Sequence, residues 1–204
     1  MKKLLTLVVC LIMMGGIHAQ VNIHAQGSIP AQQHLTFKGV PIDGTIRDYK
    51  DAMIKAGFHY EGEEDGISIL TGDFAGYKNC IIGVSTLANC DIVSKIAVIF
   101  PYNSTWSALL NDYEHLKEMM TKKYGRPKDC QEKFTGYVGD SGDLKLLALR
   151  KGEYEWYSKY ETELGTITLT IGQGNSYSTT GSAVLIYQDK INSERVNNSA
   201  IDDL

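Results

Sequence analysis

A helical pattern over residues 106–124 constrains the fold of this chain more than any other segment. Its apolar side chains fall on one stripe, the period typical of an amphipathic helix packed against a core: Trp106, Leu109, Leu110, Tyr113, Leu116, Met120 and Tyr124. Asn103 or Ser104 can cap the start, Gly125 can end the helix, and Pro127 prevents its continuation. Because such a helix has to bury its stripe against another layer, this segment requires a partner layer.

A second, shorter helix is predicted from about Thr45 to Ala56. Thr45 followed by Asp48 resembles a capping box, and Gly57 can end the helix in a left-handed conformation. One helical face carries four apolar residues that step by three, four and three: Ile46, Tyr49, Met53 and Ala56.

Most of the remaining chain has the two-residue period of β-strands. Strand-like runs cover residues 34–37, 67–75, 77–87, 92–100, 129–137, 154–161, 166–171 and 183–187. In the run 92–100 both faces are apolar, so this strand is expected at the centre of a sheet or beneath a helix.

Two segments do not have a clear strand pattern. Residues 61–66 are predicted as an acidic, glycine-bearing loop. Residues 143–151 are ambiguous between a short helix and a strand.

These elements predict an α+β fold, with two helices packed on one face of a mainly antiparallel sheet of about six to eight strands. A faint repeat divides the predicted single domain, residues 34–190, into sub-units 34–92 and 93–190. Phe37 and Phe100 each end a strand that leads to a turn with a proline, a helix closed by glycine, and further strands. Two tandem strand–helix–meander units would explain this order. A coincidental resemblance between the halves is the alternative.

The first nineteen residues have the order of a secretory signal peptide. Met1-Lys2-Lys3 is basic, residues 4–14 are almost entirely apolar, and Ala19 offers a small residue before Gln20. The apolar run is shorter than the roughly 20 residues of a membrane-spanning helix, and no later segment approaches that length. We therefore expect export to the periplasm or the exterior, no transmembrane segment, a flexible lead-in at 20–33 and a polar tail at 191–204.

The charge of the chain argues against nucleic-acid binding. The formal net charge is −4, and cleavage after Ala19 would remove Lys2 and Lys3 and make it −6. The densest basic pair, Lys122-Lys123, closes the predicted helix 106–124, where cations favour the helix dipole. No basic cluster remains that could follow a phosphate backbone.

Cysteine content is consistent with an oxidising compartment. Cys10 would leave with the signal peptide, so Cys80, Cys90 and Cys130 remain. One disulfide and one free thiol is the expected arrangement, and all three pairings are open. We favour Cys80–Cys130, which would close a loop of about 50 residues and stabilise the fold by several kcal/mol in the chain-entropy model.

Standard catalytic and cofactor-binding motifs are missing from the sequence. There is no phosphate-binding loop, dinucleotide fingerprint, nucleophile elbow, His-Glu-x-x-His or Cys-x-x-Cys motif. We therefore predict no catalytic, cofactor-binding or metal-binding residue, and we favour a protein without enzymatic activity. The four histidines outside the signal peptide are scattered, and we interpret them as surface or rim residues: His24, His34, His59 and His115.

Aromatic residues of the run 154–161 form the one candidate ligand-binding group. Tyr154, Trp156 and Tyr160 share one face of the predicted strand, and an exposed aromatic face could stack on sugar rings or contact a partner protein. The alternative is that a helix covers this face, since a sheet needs one buried face. Tyr157 would then be the aromatic residue that is exposed. The candidate ligand contacts are Tyr154, Trp156 and Tyr157.

Several segments resemble a group of small exported proteins of Bacteroides-type bacteria. They are residues 35–44 (LTFKGVPIDG), 72–77 (GDFAGY), 93–101, 122–127 (KKYGRP) and the end at 200–204 (AIDDL). The resemblance implies an origin and a compartment but no established activity. The order of a helix followed by a meander is also similar to beta-lactamase-inhibitor-like and BamE-like envelope modules, a likeness of architecture only.

Together these observations favour an exported, non-enzymatic envelope protein that binds another protein, as yet unidentified. The alternative is a protein that binds glycans or small ligands through exposed aromatic residues. An enzyme whose catalytic residues converge only in the folded chain is a further alternative.

Overall fold

The computed structural model describes residues 33–87, 90–174 and 179–195. The predicted signal peptide (1–19), the predicted lead-in except its last residue, and residues 196–204 of the predicted tail lie outside the described residues.

Within these ranges the chain forms ten strands and three helices, followed by a helical segment at 190–195. In chain order they are β1 (Thr36–Phe37), β2 (Val40–Pro41), α1 (Ile46–Lys55), β3 (His59–Glu64), β4 (Ile67–Phe74), β5 (Tyr77–Leu87), β6 (Cys90–Ile99), α2 (Trp106–Tyr124), β7 (Asp129–Phe134), α3 (Gly142–Lys151), β8 (Tyr154–Thr162), β9 (Gly165–Gln173) and β10 (Gly181–Asp189).

The sheet consists of two antiparallel four-stranded meanders placed side by side. Its eight strands follow the order β3-β4-β5-β6-β10-β9-β8-β7, and every pair of neighbours is antiparallel. The two meanders meet where β6 pairs with β10, with Ile99 opposite Val184 and Ile96 opposite Tyr187. A second, two-stranded sheet is formed by β1 and β2. The prediction of an α+β fold with a mainly antiparallel sheet is confirmed.

All three helices lie on one face of the sheet. Helix α1 contacts β3, β5 and β6, helix α2 contacts β8, β9 and β10, and helix α3 packs against α2 and β9. Their buried side chains join those of the strands in one large core cluster. The prediction of two helices is corrected, because the ambiguous segment 143–151 forms a third helix, α3, and residues 190–195 are also helical. Leu146 and Leu149 of α3 are buried, whereas Leu144 is exposed.

The helix boundaries follow from local hydrogen bonding. Thr45 caps α1 by accepting a hydrogen bond from the Asp48 backbone N–H at 3.1 Å, as the capping-box pattern predicts. Helix α2 is capped by Thr105 rather than by Asn103 or Ser104, since Thr105 Oγ1 accepts from the Ala108 N–H at 3.3 Å. Gly125 follows α2 at φ 83°, a conformation that glycine adopts without strain.

Strand β3 (His59–Glu64) replaces residues 61–64 of the acidic loop that the sequence predicts at 61–66, and residues 65–66 form the turn to β4. It pairs with β4 along His59–Glu64, with a bulge between Tyr60 and Gly62. Most of its side chains are exposed because β3 is the edge of the sheet. An edge strand without alternating apolar residues lacks the periodic signal by which a half-buried strand is recognised.

The hairpin formed by β1 and β2 closes one end of the core. Phe37 is 1% exposed and lies among three other aromatic rings. Its ring centroid is 5.9 Å from that of Phe58, 5.0 Å from that of Phe74 and 5.4 Å from that of Tyr187. These contacts join the hairpin to β4 and β10, so residues 34–41 are an integral part of the domain.

Candidate interaction surface

The face of the sheet opposite the helices carries a second, smaller apolar cluster. We call this face the open face, and its apolar side chains the open-face cluster: Ile67, Ile69, Ile81, Ala97, Ile99, Tyr102, Val184 and Ile186. The register places these residues on one face, since Ile81 lies opposite Ile99 and Ile99 lies opposite Val184. Among the described residues, the helices and the β1–β2 hairpin contribute side chains to the large core cluster and none to this one.

The open-face cluster has a buried centre and a partly exposed rim. Ala97, Ile99 and Val184 are at most 1% exposed. Ile69, Ile81, Tyr102 and Ile186 are partly buried, so they present apolar surface at the rim. The sequence expectation that the run 92–100 forms a central strand is confirmed, because β6 lies between β5 and β10 and is apolar on both faces.

Tyr102 adds a polar group to this apolar rim. Burial raises the pKa of Tyr102 to about 12. Its hydroxyl is buried without a hydrogen-bond partner among the described residues. A buried hydroxyl that lacks a hydrogen-bond partner is costly, so Tyr102 is an unsatisfied polar group within this otherwise apolar cluster.

The second half of the open face is polar. Thr166, Thr168 and Thr170 point from β9 to this side, because Thr168 lies opposite Ile186 of the open-face cluster. Lys159 lies opposite Thr168, and Tyr157 lies opposite Thr170. The open face therefore has a mainly apolar half on β4, β5, β6 and β10, in which Lys95 of β6 lies opposite Ser85 and Gln188, and a polar half on β9, β8 and β7.

Two of the three candidate ligand-contact aromatics lie on the helix face instead. The Trp156 ring is 5.1 Å from the Trp106 ring of α2 and 5.6 Å from that of Phe134. The Tyr154 hydroxyl donates a hydrogen bond to the Ile171 carbonyl at 3.2 Å. Both side chains are partly buried and pack against the core cluster. The positions of Tyr154 and Trp156 agree with the alternative interpretation, in which a helix covers this face of the strand.

Tyr157 is the candidate aromatic residue that the open face does present. Its hydroxyl donates a hydrogen bond to Asp129 at 2.9 Å. This hydrogen bond raises the pKa of Tyr157, and burial adds to the effect. The glycan-binding alternative therefore depends on Tyr157 alone among the three residues proposed for it.

The disulfide that we favoured, Cys80–Cys130, is not formed. All three described cysteines are free. Cys80 lies on β5 and Cys130 on β7, five strand positions apart in the sheet. At about 4.8 Å per strand this separation is roughly 24 Å, whereas a disulfide requires Cα atoms about 4.4–6.8 Å apart. The sequence does not show this separation, because it does not specify the order of strands in the sheet.

We expect the three thiols to differ in reactivity. Cys80 is buried, and burial raises the pKa of its thiol to about 11, whereas Cys90 and Cys130 are exposed. Because the thiolate is the reactive form, two thiols of the protein 20–204 should react rapidly with a thiol reagent at neutral pH. The third should react only in denaturant. Fewer than three thiols in denatured, unreduced protein would contradict the arrangement of free cysteines.

A cluster of polar side chains lies on the helix face between α2 and the β7–β8 edge. The Tyr113 hydroxyl lies 2.9 Å from Ser158 Oγ and 3.3 Å from Glu132 Oε1. The Cys130 thiol lies 3.5 Å from the same carboxylate oxygen, which also pairs with Lys117. These contacts join the middle of α2 to the edge strand β7.

The electrostatics of this cluster favour a structural role. Burial raises the pKa of Tyr113. Burial also acts to raise the pKa of Glu132, but the hydrogen bond and charge of Lys117 lower it overall. For Lys117, burial acts to lower the pKa, and Glu132 raises it overall. All three pKa values move away from neutrality, the opposite of what proton transfer at neutral pH requires.

A buried polar network that the sequence does not indicate joins the two ends of the described chain. Asp189 is fully buried, and its carboxylate accepts hydrogen bonds from the backbone N–H groups of Leu35 at 2.8 Å and Asn192 at 2.9 Å. His34 Nδ1 lies 3.1 Å from the same carboxylate, and His34 Nε2 lies 3.4 Å from that of Asp43. His34, whose side chain is 10% exposed, is therefore held between two carboxylates rather than free on the surface.

Asn192 completes this network. Its side-chain amide donates to the carbonyls of Ile42 and Val93 at 3.1 and 3.0 Å and to the Asp43 carboxylate at 2.9 Å. Burial acts to raise the pKa of Asp43, but hydrogen bonds from Asn192 and the Gly44 N–H lower it overall. Since His34 and Asp189 are 155 positions apart, no local pattern could have placed them together.

Within residues 33–87, 90–174 and 179–195, no group of three or more histidine, cysteine or acidic side chains is arranged to hold a metal ion. None of the described helices is both long enough and apolar enough to cross a membrane.

Comparisons with protein-family models, with curated proteins and with solved structures found no match for this chain.

Proposed function

We propose that this chain is an exported, non-enzymatic protein of the cell envelope that binds another protein through its open face. The observation that carries the proposal is the open-face cluster. Its rim presents partly exposed isoleucines on the side of the sheet to which none of the described helices contributes a side chain. Contiguous apolar surface with a polar surround is typical of protein-interaction sites. The export step rests on the signal-like pattern of residues 1–19.

The arrangement of the two meanders supports this proposal. Helix α1 is followed by β3 to β6, and α2 is followed by β7 to β10 with α3 inserted. We interpret these segments as two tandem units, divided after β6 rather than at the predicted boundary between residues 92 and 93, which would divide that strand. Their helices lie on one side, and their open faces join on the other. A continuous eight-stranded surface of this kind suits a folded protein partner better than a small ligand, which needs a concave pocket. As part of the same proposal, we infer that the chain resembles beta-lactamase-inhibitor-like and BamE-like envelope modules in architecture. We also infer that it comes from Bacteroides-type bacteria.

Crosslinking to envelope proteins tests the proposed function. The protein 20–204 and its Ile81→Ser/Ile186→Ser variant would each be crosslinked in envelope extract and analysed by mass spectrometry. We expect one stoichiometric partner with the parent protein and at least a fivefold loss with the variant, because two rim side chains lose their apolar contacts. Ile54 and Leu144 are 46% and 47% exposed on helices α1 and α3. The Ile54→Ser/Leu144→Ser variant is therefore the matched control and should retain the partner.

Circular dichroism and urea unfolding of both variants separate loss of binding from loss of folding. A partner that is retained by the open-face variant, or lost equally in both variants, would contradict the assignment of the interface to the open face.

A further inference from the structure

The centre of the open-face cluster is buried more deeply than a bare sheet face allows. Ala97, Ile99 and Val184 point away from the helices, yet each is at most 1% exposed. Among the described residues, neither the helices nor the β1–β2 hairpin contributes a side chain to this cluster. A sheet face without a covering layer leaves its side chains in contact with water. The burial therefore indicates that a further segment lies over the centre of the open face, between the partly exposed isoleucines of the rim.

Lys95 provides a second, independent sign of such a cover. It alternates with Ala97 on β6, so its side chain lies on the open face, and it lies opposite Ser85 and Gln188. Burial lowers the pKa of Lys95, whereas a lysine on a bare face would keep its ammonium group in water. Glu64 belongs to the same cross-strand row but lies three strands away, at about 14 Å. Since a desolvated charge is costly unless it is paired, a cover that carries negative charge is favoured.

The described chain ends beside this part of the open face. The Gln188 side-chain amide donates a hydrogen bond to Ser193 Oγ at 3.1 Å, and Gln188 lies directly opposite Lys95. We call residues 196–204, which follow, the end segment. A chain of this length spans up to about 30 Å, whereas Lys95 and Ile99 are about 13 Å apart along β6. The end segment is therefore long enough to reach the centre of the open-face cluster.

Composition distinguishes the end segment from the other stretches outside the described ranges. Its sequence, VNNSAIDDL, places aliphatic residues on either side of Asp202 and Asp203. The other stretches, residues 1–32, 88–89 and 175–178, contain no acidic residue. The end segment thus combines the apolar groups that the open-face cluster would bury with the negative charge that complements a lysine.

We propose that the end segment folds back over the open face. Its aliphatic residues Ile201 and Leu204 lie on the open-face cluster, and Asp202 or Asp203 lies beside Lys95. The end segment then occupies the surface assigned to the partner, which has to displace it in order to bind. A tethered segment is a strong competitor because its effective concentration is high. The position of the end segment is inferred from the burial of the sheet, whereas its competition with a partner rests on the proposed function.

Carbodiimide crosslinking tests the position of the end segment. This reagent joins a carboxylate to an amine without a spacer, so it reports groups in direct contact. In the protein 20–204 we expect an intramolecular amide between Lys95 and Asp202 or Asp203, identified by proteolysis of the monomer and mass spectrometry. The variant Asp202→Asn/Asp203→Asn should abolish this amide. The variant Asn197→Ser/Asn198→Ser, in the same segment, is the matched control and should retain it.

The variant Ile201→Ser/Leu204→Ser tests the apolar contacts. We expect the yield of the amide to fall about fivefold, since two aliphatic side chains no longer hold the end segment on the sheet. Circular dichroism should match that of the parent, because the substitutions lie outside every described element. No amide at Lys95, an amide from Lys95 to a carboxylate outside the end segment, or an undiminished yield in this variant would overturn the inference. In a mixture of isotope-labelled and unlabelled protein, an amide between the two kinds of chain would assign the cover to a second copy and would likewise overturn it.

Capture of the envelope partner distinguishes this inference from the proposed function. If the end segment competes with the partner, Ile201→Ser/Leu204→Ser should raise partner capture about fivefold over that of the parent. Equal capture by both proteins would refute the competition. Partner capture without the amide between Lys95 and the end segment would leave the proposed function standing and refute only the inference. The amide without any captured partner, in the parent and in Ile201→Ser/Leu204→Ser, would support the position of the end segment and contradict the proposed function.

Discussion

Replacing Asp189 by asparagine should lower the free energy of unfolding by about 3 kcal/mol. The carboxylate is fully buried and accepts from two backbone N–H groups, one on each oxygen. An asparagine side chain has one oxygen, so its NH₂ group would face the N–H of Leu35 or that of Asn192. A buried donor that faces another donor loses its hydrogen bond and remains desolvated. Urea denaturation followed by circular dichroism measures the difference.

Asp129→Asn is the matched control for this substitution. Asp129 is exposed and accepts one hydrogen bond, from the Tyr157 hydroxyl. Its replacement should change the free energy of unfolding by less than about 1 kcal/mol. If Asp189→Asn lowered the free energy of unfolding no more than Asp129→Asn does, the network that joins residues 34–43 to the end of β10 would not contribute to stability.

Replacing Phe37 by alanine should destabilise the protein by about 4 kcal/mol, because it removes a buried ring and leaves a cavity. The ring is 1% exposed and contacts three aromatic rings from β4, β10 and the segment after α1. The Trp106–Trp156 contact lies elsewhere in the core, so fluorescence of these two residues reports global unfolding.

Tyr137→Ala provides the comparison for an exposed aromatic residue. Tyr137 is 100% exposed, and its removal should change stability by no more than about 0.5 kcal/mol. A Phe37→Ala variant with the stability of the parent would show that the hairpin of β1 and β2 is not part of the cooperative core.

The elements with clear periodicity could be predicted from the sequence. The apolar stripe of α2 and the alternation of Thr166–Ile171 in β9 each match the pattern of an element with one buried face. The Thr45–Asp48 pattern correctly indicated the start of α1. Such signals are local, since they depend on side chains within a few residues of one another.

The features that define the candidate site depend on contacts distant in sequence. The pairing of β6 with β10 brings Val184 and Ile186 into the open-face cluster, and no local pattern specifies that pairing. Helix α3 was ambiguous because Leu144, Leu146 and Leu149 fit parts of both the strand and helix periods. Placing Tyr154 and Trp156 on the covered face required knowledge of where α2 packs, which a single strand does not reveal.

Site-specific photo-crosslinking tests the central claim, binding through the open face, most directly. A photoreactive phenylalanine analogue would be placed at Ile81 of the open face or at Leu144 of α3, in the protein expressed in its own envelope. We predict a discrete crosslinked protein from position 81 and none from position 144. The same crosslink from both positions, or one from position 144 alone, would contradict binding through the open face.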